Sequence, residues 1–424
     1  MGLLDPPGFS RAQADARFAP ADLATQALIP ALKFVPQPTK TVLNSFASGH
    51  GITNAGGWGS INLNDTSQDA WGMATQAVVG VTLGTGGASL GAIDVPTTAF
   101  DPTNKVFELL ISVDKPVNVS SIFALVSSDN FSNFGSFTVI SGTDKTKFIY
   151  PNTPYLARFT AADKFADSGT GMGTAVTKIR FRVQDDATGQ AVTVGFGGLR
   201  MFTKPAGVVS LTFDDGYRSH VTFAKAALAA RNWRGTFYPI IDRLGISGNA
   251  TAAEWLDLYR VHGHEVGSHA STLAAHSTGL PAMTAEQRDA ELRACRAWLV
   301  QNGVNGQSYA YPGGQVDYVS ASDVQKYYTS ARTTSGSQRD VTPSSAPMYL
   351  KSTQVDSTQS LSAIQTLVTK AAANGWWLIL TFHDLVAASA TGTQWLQSDF
   401  NTLMTSIASS GMAVKPVGEV MAGL

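Results

Sequence analysis

The chain carries a single cysteine, Cys295, in 424 residues, so it forms no intrachain disulfide and no cysteine-based zinc site. Cys295 lies in "ELRACRAWL", an amphipathic helical pattern, and reads as a small, inert, buried hydrophobe. Charge is scarce as well: Asp, Glu, Lys and Arg make up 14% of the residues and the net charge is −1. That leaves no basic field for nucleic acid, and none is expected as a partner. No run approaches the ~18 uninterrupted apolar residues of a membrane-spanning helix, so no membrane insertion is expected. The opening "MGLLDPPGFSRAQADARF" lacks the basic and then apolar stretches of a secretory signal. Its sixth position is Pro6, where a myristoylation signal has Ser or Thr. No export signal is therefore expected.

What is present suits large cores and many turns: 44% hydrophobic residues and 40 glycines. The length implies two or three domains. Residues 1–40 are polar and rich in Ala and Pro, and read as an arm or connector, an attachment or oligomerisation segment too short to fold alone. Residues 41–204 hold short β-like runs such as "KVFELLISV", "GSFTVISG", "KTKFIY" and "TKIRFRVQD", separated by Gly, Asn, Asp and Ser. Ile179, Phe181 and Val183 alternate with charged residues. This pattern predicts an all-β, jelly-roll-like sandwich.

Residues 205–424 alternate strand and helix, which predicts a parallel α/β barrel of seven strands. The expected strands are "VVSLTFDD", "RGTFYPI", "HEVGSHA", "SYAYPGG", "YTSARTT", "WWLILTFHD" and "MAVKPVGEV". Two intervening helical patterns end on Asn-Gly, a helix stop. In such barrels the chemistry sits at the C-terminal strand ends. Asp214 and Asp215 end the first strand, His269 the third, and His383 with Asp384 the sixth. Each fragment alone has an ordinary explanation: "DDG" is a common turn and His383 a satisfied core histidine. Gathered on one rim, they point to a site. Two adjacent anions at the end of a buried strand need compensation, and a divalent cation supplies it. One Asp would bind it with His269 and a second His, leaving the other Asp as a general base and a further His as an acid. Those parts amount to metal-assisted hydrolysis of an amide or ester.

Residues 207–424 resemble the polysaccharide deacetylases, carbohydrate esterase family four. The resemblance rests on "TFDDG" (212–216), "GHEVGSH" (263–269), "YAYPGG" (309–314), "ARTTSG" (331–336) and "LILTFHD" (378–384), in register with five family motifs. It implies a distorted (β/α)7 barrel, Asp214 as catalytic base, Asp215 and His269 as metal ligands, and His383 as catalytic acid. A backbone N–H near Gly313 would stabilise an oxyanion. The metal implied is one divalent ion, zinc first, with cobalt or nickel as alternatives. The chain departs from the pattern where the family has a second histidine, four residues after the first: Leu273 stands there. The next histidine, His276, is the expected replacement. Ala310 occupies the place of an arginine that orients the base, and Arg332 is expected to pair with Asp214 instead. Tyr217 and Tyr311, inside motifs, are candidate platforms for a sugar ring. His264 is expected to point behind its strand, and His220 and His262 to lie on helix surfaces.

The segment "GFSRAQADARFAP" is similar to a short stretch common in bacteriophage tail fibres and tailspikes. "TKIRFRVQDDATGQAVTVGFGGLRMFTKP" looks like jelly-roll modules beside carbohydrate-active domains. Together these imply a phage tail-associated deacetylase acting outside the host cell on an acetylated surface polysaccharide such as capsule. Other virion tail proteins and further copies of the chain, a trimer by analogy, would be its partners. The alternative is a glycan-binding phage receptor protein with an inactive deacetylase-like barrel, favoured by Leu273. A bacterial deacetylase of peptidoglycan or chitin oligomers is the third reading.

Overall fold

The computed structural model describes residues 39–47, 49–57, 60–65, 76–81, 90–140, 151–152, 154–187, 190–334, 340–342 and 344–423. The expected arm, up to residue 38, and the expected strand "KTKFIY" lie outside them. The described chain divides after Lys204 into two units.

The first unit is two antiparallel sheets of six strands each. One runs Ile61–Asp65, Gln76–Val81, Val192–Thr203, Lys105–Val113 and Tyr155–Thr160, with Thr41–Asn44 also paired to Val192–Thr203. The other runs Lys164–Ser168, Phe134–Ile140, Val119–Ser127, Val176–Asp185, Leu90–Phe100 and Thr53–Gly57. Strand alternation puts every second side chain on one face. Ile179, Phe181 and Val183 face inward with Ile93, Ala124 and Ile122, while Lys178, Arg180 and Arg182 lie on the other side. Phe107, Leu109, Phe159 and Phe196 of the first sheet join the same core as Phe137 and Phe181 of the second. Phe107 and Phe159 stack at 4.8 Å.

The second unit is a parallel barrel. Its strands, in chain order, are Val208–Asp215, Thr236–Pro239, Glu265–Val266, Ser308–Ala310, Ser330–Arg332, Thr353–Val355 and Trp377–Phe382. The first pairs with the second and the seventh, the second with the third, the fourth with the fifth, and the sixth with the seventh. Two single bridges, Ser268 to Tyr309 and Arg332 to Leu350, complete the ring. Gly267 permits the first of these seams: a Cβ there would stand 2.6 Å from the Ser308 carbonyl oxygen.

Two strand assignments change. Thr353–Val355 is the sixth strand, which the sequence pattern did not show. "MAVKPVGEV" contributes only Ala413–Val414, an extra parallel pair with the first strand, and then turns helical over Val417–Met421. Several helices start on side-chain caps, as at Thr251, Thr284 and Ser360, whereas Gln397–Ser409 starts at Leu396 without one. Both Asn-Gly pairs end helices as expected, with Gly303 and Gly375 each at φ 68°. Among the described residues no helix is long and apolar enough to cross a membrane.

Candidate metal centre and its acid–base groups

The first strand sorts its side chains by face. Phe213 stacks against Phe237 and Phe382 in the apolar layer beneath the helices. Ser210, Thr212 and Asp214 alternate onto the other face. There the Thr212 hydroxyl meets Thr381 and the Leu380 carbonyl. The strand ends abruptly because Asp215 and Gly216 both take positive φ, 71° and 91°. A non-glycine residue in that region costs of order 1 kcal/mol, and Asp tolerates it better than most. Asn249 holds the turn by donating to the Asp215 carbonyl at 3.2 Å.

Asp215, His269 and His276 converge at this turn. His269 follows the third strand and is buried; its Nδ1 lies 2.8 Å from the Ala310 carbonyl. A carbonyl only accepts, so Nδ1 carries the proton and Nε2 is left as a bare lone pair. His276 sits in the helix Leu273–Thr278, which Thr272 caps. Its Nε2 is 3.1 Å from His269 Nε2 and 3.5 Å from Asp215 Oδ1. Asp215 Oδ1 stands 3.3 Å from His269 Nε2, and this buried oxygen meets no hydrogen-bond donor among the described residues. Burial would raise the pKa of Asp215, but contact with His269 and the charges of His383 and His276 carry it well below the usual carboxylate range. For His269, burial acts to lower the pKa and is outweighed by Asp215 and Asp214. His276 is lowered, by burial first and by His269 second.

This donor set fits a divalent ion. Ligand atoms about 2.0–2.2 Å from a tetrahedral ion stand roughly 3.3–3.6 Å apart, close to the three separations found here. One carboxylate and two imidazoles suit zinc, cobalt or nickel. Leu273, the position of the family's second histidine, is exposed at the first turn of the helix. His276 is the residue that reaches His269.

Beside this cluster Asp214 is 1% exposed, and Arg332, fully buried at the end of the fifth strand, donates from Nη2 to its Oδ1. The guanidinium also lies 4.9 Å from the centre of the Tyr238 ring. Burial would raise the pKa of Asp214, yet Arg332, then His269 and His383, hold it below the ordinary value. Its Oδ2 has no donor among the described residues. His383 follows the seventh strand; its Nδ1 is buried without a partner among the described residues, and its carbonyl accepts from His220 Nε2 at 2.9 Å. Asp384 is pinned by Ser219 and Gln394.

Two expected positions change. His220 is not on a helix surface. It is fully buried, edge-on to Phe237 and Trp255, and burial lowers its pKa to about 4. Tyr311 offers no face to a sugar: it is fully buried and its hydroxyl donates to the Met348 carbonyl. Tyr217 is half-buried beside His220, and burial, with Asp215 and Asp384, raises its pKa. Gly313 takes φ 59° in the turn after the fourth strand. His262 is exposed near Asp257, and His264 is buried, accepting from the Gly235 N–H.

One polar residue escaped the sequence reading. Asp356 directly follows Val355, the partner of Phe382, so Asp356 and His383 leave adjacent strands side by side. Burial acts to raise the pKa of Asp356, but Thr358 and Gln354 donors, and the His383 charge, lower it.

No curated protein sequence matches the chain. Similar solved structures include a carbohydrate esterase family four domain of a multidomain xylanase from the hindgut metagenome of Trinervitermes trinervoides. It is 17% identical over 51% of this chain and 89% of its own, with TM-score 0.36. A family four acetyl xylan esterase from Clostridium thermocellum, in complex with a cobalt ion, is 18% identical over 50% and 89%, with TM-score 0.34. A family four pseudoenzyme from Bacillus anthracis is 13% identical over 52% and 67%, with TM-score 0.36. The polysaccharide deacetylase family model matches residues 203–330, a stretch that includes Asp214, Asp215, His269, His276 and Gly313. Over those residues the chain therefore matches the polysaccharide deacetylase family.

Proposed function

We propose that the chain is a metal-dependent deacetylase that hydrolyses acetyl groups of a host cell-surface polysaccharide, as part of a bacteriophage tail. The observation that carries the hydrolase reading is the Asp215–His269–His276 cluster beside the buried Asp214–Arg332 pair, within a stretch that matches the deacetylase family model. Asp215, His269 and His276 would hold the ion, zinc first. When bound, a divalent ion lowers the pKa of a coordinated water and polarises the acetyl carbonyl. Asp214 would take the proton of the attacking water on Oδ2, because Arg332 occupies Oδ1. His383 would protonate the leaving sugar atom, amine or hydroxyl. A backbone N–H at Gly313 would donate to the oxyanion, and Tyr217 would border the sugar.

The virion setting is supported by the N-terminal "GFSRAQADARFAP" and its similarity to phage tail segments. In that setting the first unit is a sandwich that binds glycan or spaces the barrel from its anchor. The test is acetate release from acetylated capsular polysaccharide by the full chain and by Asp214→Asn. The reading expects release by the parent and a loss of about 10²–10⁴-fold in the variant. Glycan binding without acetate release by the parent would instead support an inactive receptor, the reading that Leu273 favours.

A further inference from the structure

We propose that Glu291 and Asp242 are positioning residues for the candidate metal centre: they clamp the turn that sets the spacing of His269 and His276. The inference rests on reading Asp215, His269 and His276 as metal ligands. His276 is carried by a helix of six residues with no buried side chain among them. A helix that short has little stability of its own, so its place is fixed from outside. Between the two histidines the chain is held at successive residues by other elements. The Ile241 and Asp242 N–H groups donate to the Ala270 and Ser271 carbonyls, both at 3.0 Å. Ser271 donates twice to Glu291, from its N–H to Oε1 at 2.5 Å and from its hydroxyl to Oε2. The Leu273 N–H then meets the Asp242 carboxylate, at 3.0 and 3.1 Å from its two oxygens. Thr272 completes the turn by accepting from the Ala275 N–H at 3.0 Å.

The two carboxylates come from different places. Glu291 is buried on the long helix Ala285–Gln301, where it also accepts weakly from the Cys295 thiol at 3.5 Å. Asp242 is exposed, beyond the end of the second strand. Six residues between the ligands give the loop freedom that metal binding would have to remove. Holding the turn beforehand moves that cost into folding and leaves the ligand atoms converged. Both Glu291 oxygens face donors. A leucine there offers no acceptor, so the Ser271 N–H loses its partner, whereas a glutamine keeps an oxygen on that N–H and can donate to the Ser271 hydroxyl, which also accepts.

The test is the affinity of the full chain for zinc ion, by competition with a chromophoric chelator, with thermal unfolding of the metal-free samples recorded alongside. Glu291→Leu is expected to weaken zinc binding tenfold or more, while Glu291→Gln stays nearer the parent. Asp242→Ala, an exposed substitution, is expected to weaken it several-fold, while Asp242→Asn, which keeps an acceptor oxygen, restores most of the loss. Parent-like affinity, within twofold, in both Glu291→Leu and Asp242→Ala overturns the clamp while leaving the ligands in place. If Glu291→Leu does not fold, equal affinities of Asp242→Ala and the parent overturn it. Failure of the parent itself to bind zinc removes the ligand assignment, and the clamp with it.

Discussion

Asp214 stays an anion in the barrel because Arg332 stands against it. A buried ion pair is costly to break from one side, about 3–5 kcal/mol, because the remaining charge keeps its desolvation penalty. Arg332→Met is therefore expected to destabilise the chain by about that amount in urea unfolding. It should also raise the Asp214 pKa, since burial then acts with less opposition. The acid limb of kcat/KM would move to higher pH. An unchanged profile, or full turnover in Arg332→Glu, would contradict the pairing. Asp214, Asp215 and His383 were legible in the sequence because each stands at the end of a long apolar strand run, and His269, whose strand is only two residues, was legible from "GHEVGSH". His276 was legible as the next histidine after the one missing at Leu273. Asp356 was not, because its strand is three residues, too short to display a period. The burial of Tyr311 was not legible either: it depends on the Met348 carbonyl, 37 residues away.

Among the elements, the two Asn-Gly helix stops followed the local rule. Gly303 lies at φ 68° after Asn302, and no described residue stands within 4 Å of where its Cβ would be. Gly303→Ala is thus a backbone substitution alone, expected to cost about 1 kcal/mol in denaturant unfolding with no loss of activity. A neutral result would show that the chain relaxes out of the left-handed region. The strand count was right in number but wrong in membership. "MAVKPVGEV" has alternating apolar residues, yet Pro416 precedes a helical turn and the ladder stops at Val414. The first unit was more legible. Its strands run to 12 residues, and Ile179, Phe181 and Val183 show the period of two that a sheet with one buried face imposes. Phe181→Ala should cost about 3–5 kcal/mol, because the ring packs between Phe159 and Phe196 in the shared core.

At the scale of the whole molecule, the barrel contains two imidazoles buried as neutral groups. His220 and His264 are both lowered to about 4, by burial first. The unfolded values are about 6.5, so between those limits the unfolded chain binds more protons. The stability these groups contribute is full above about pH 6.5 and lost as pH falls through about 4. By pH 5 the loss is about 2 kcal/mol for each histidine. Urea unfolding at pH 7 and pH 5 measures it, and His264→Gln should flatten the dependence. The account as a whole turns on the metal centre, which joins residues of the first strand, the third and a short helix into one site. Its most direct test is the metal content of the chain purified without chelator, alongside His276→Ala. The account predicts about one zinc-like ion per parent chain, and loss of both ion and acetate release in the variant. A variant that keeps its ion and its activity would contradict the assignment of His276, and a parent without bound metal or acetate release would contradict the hydrolase.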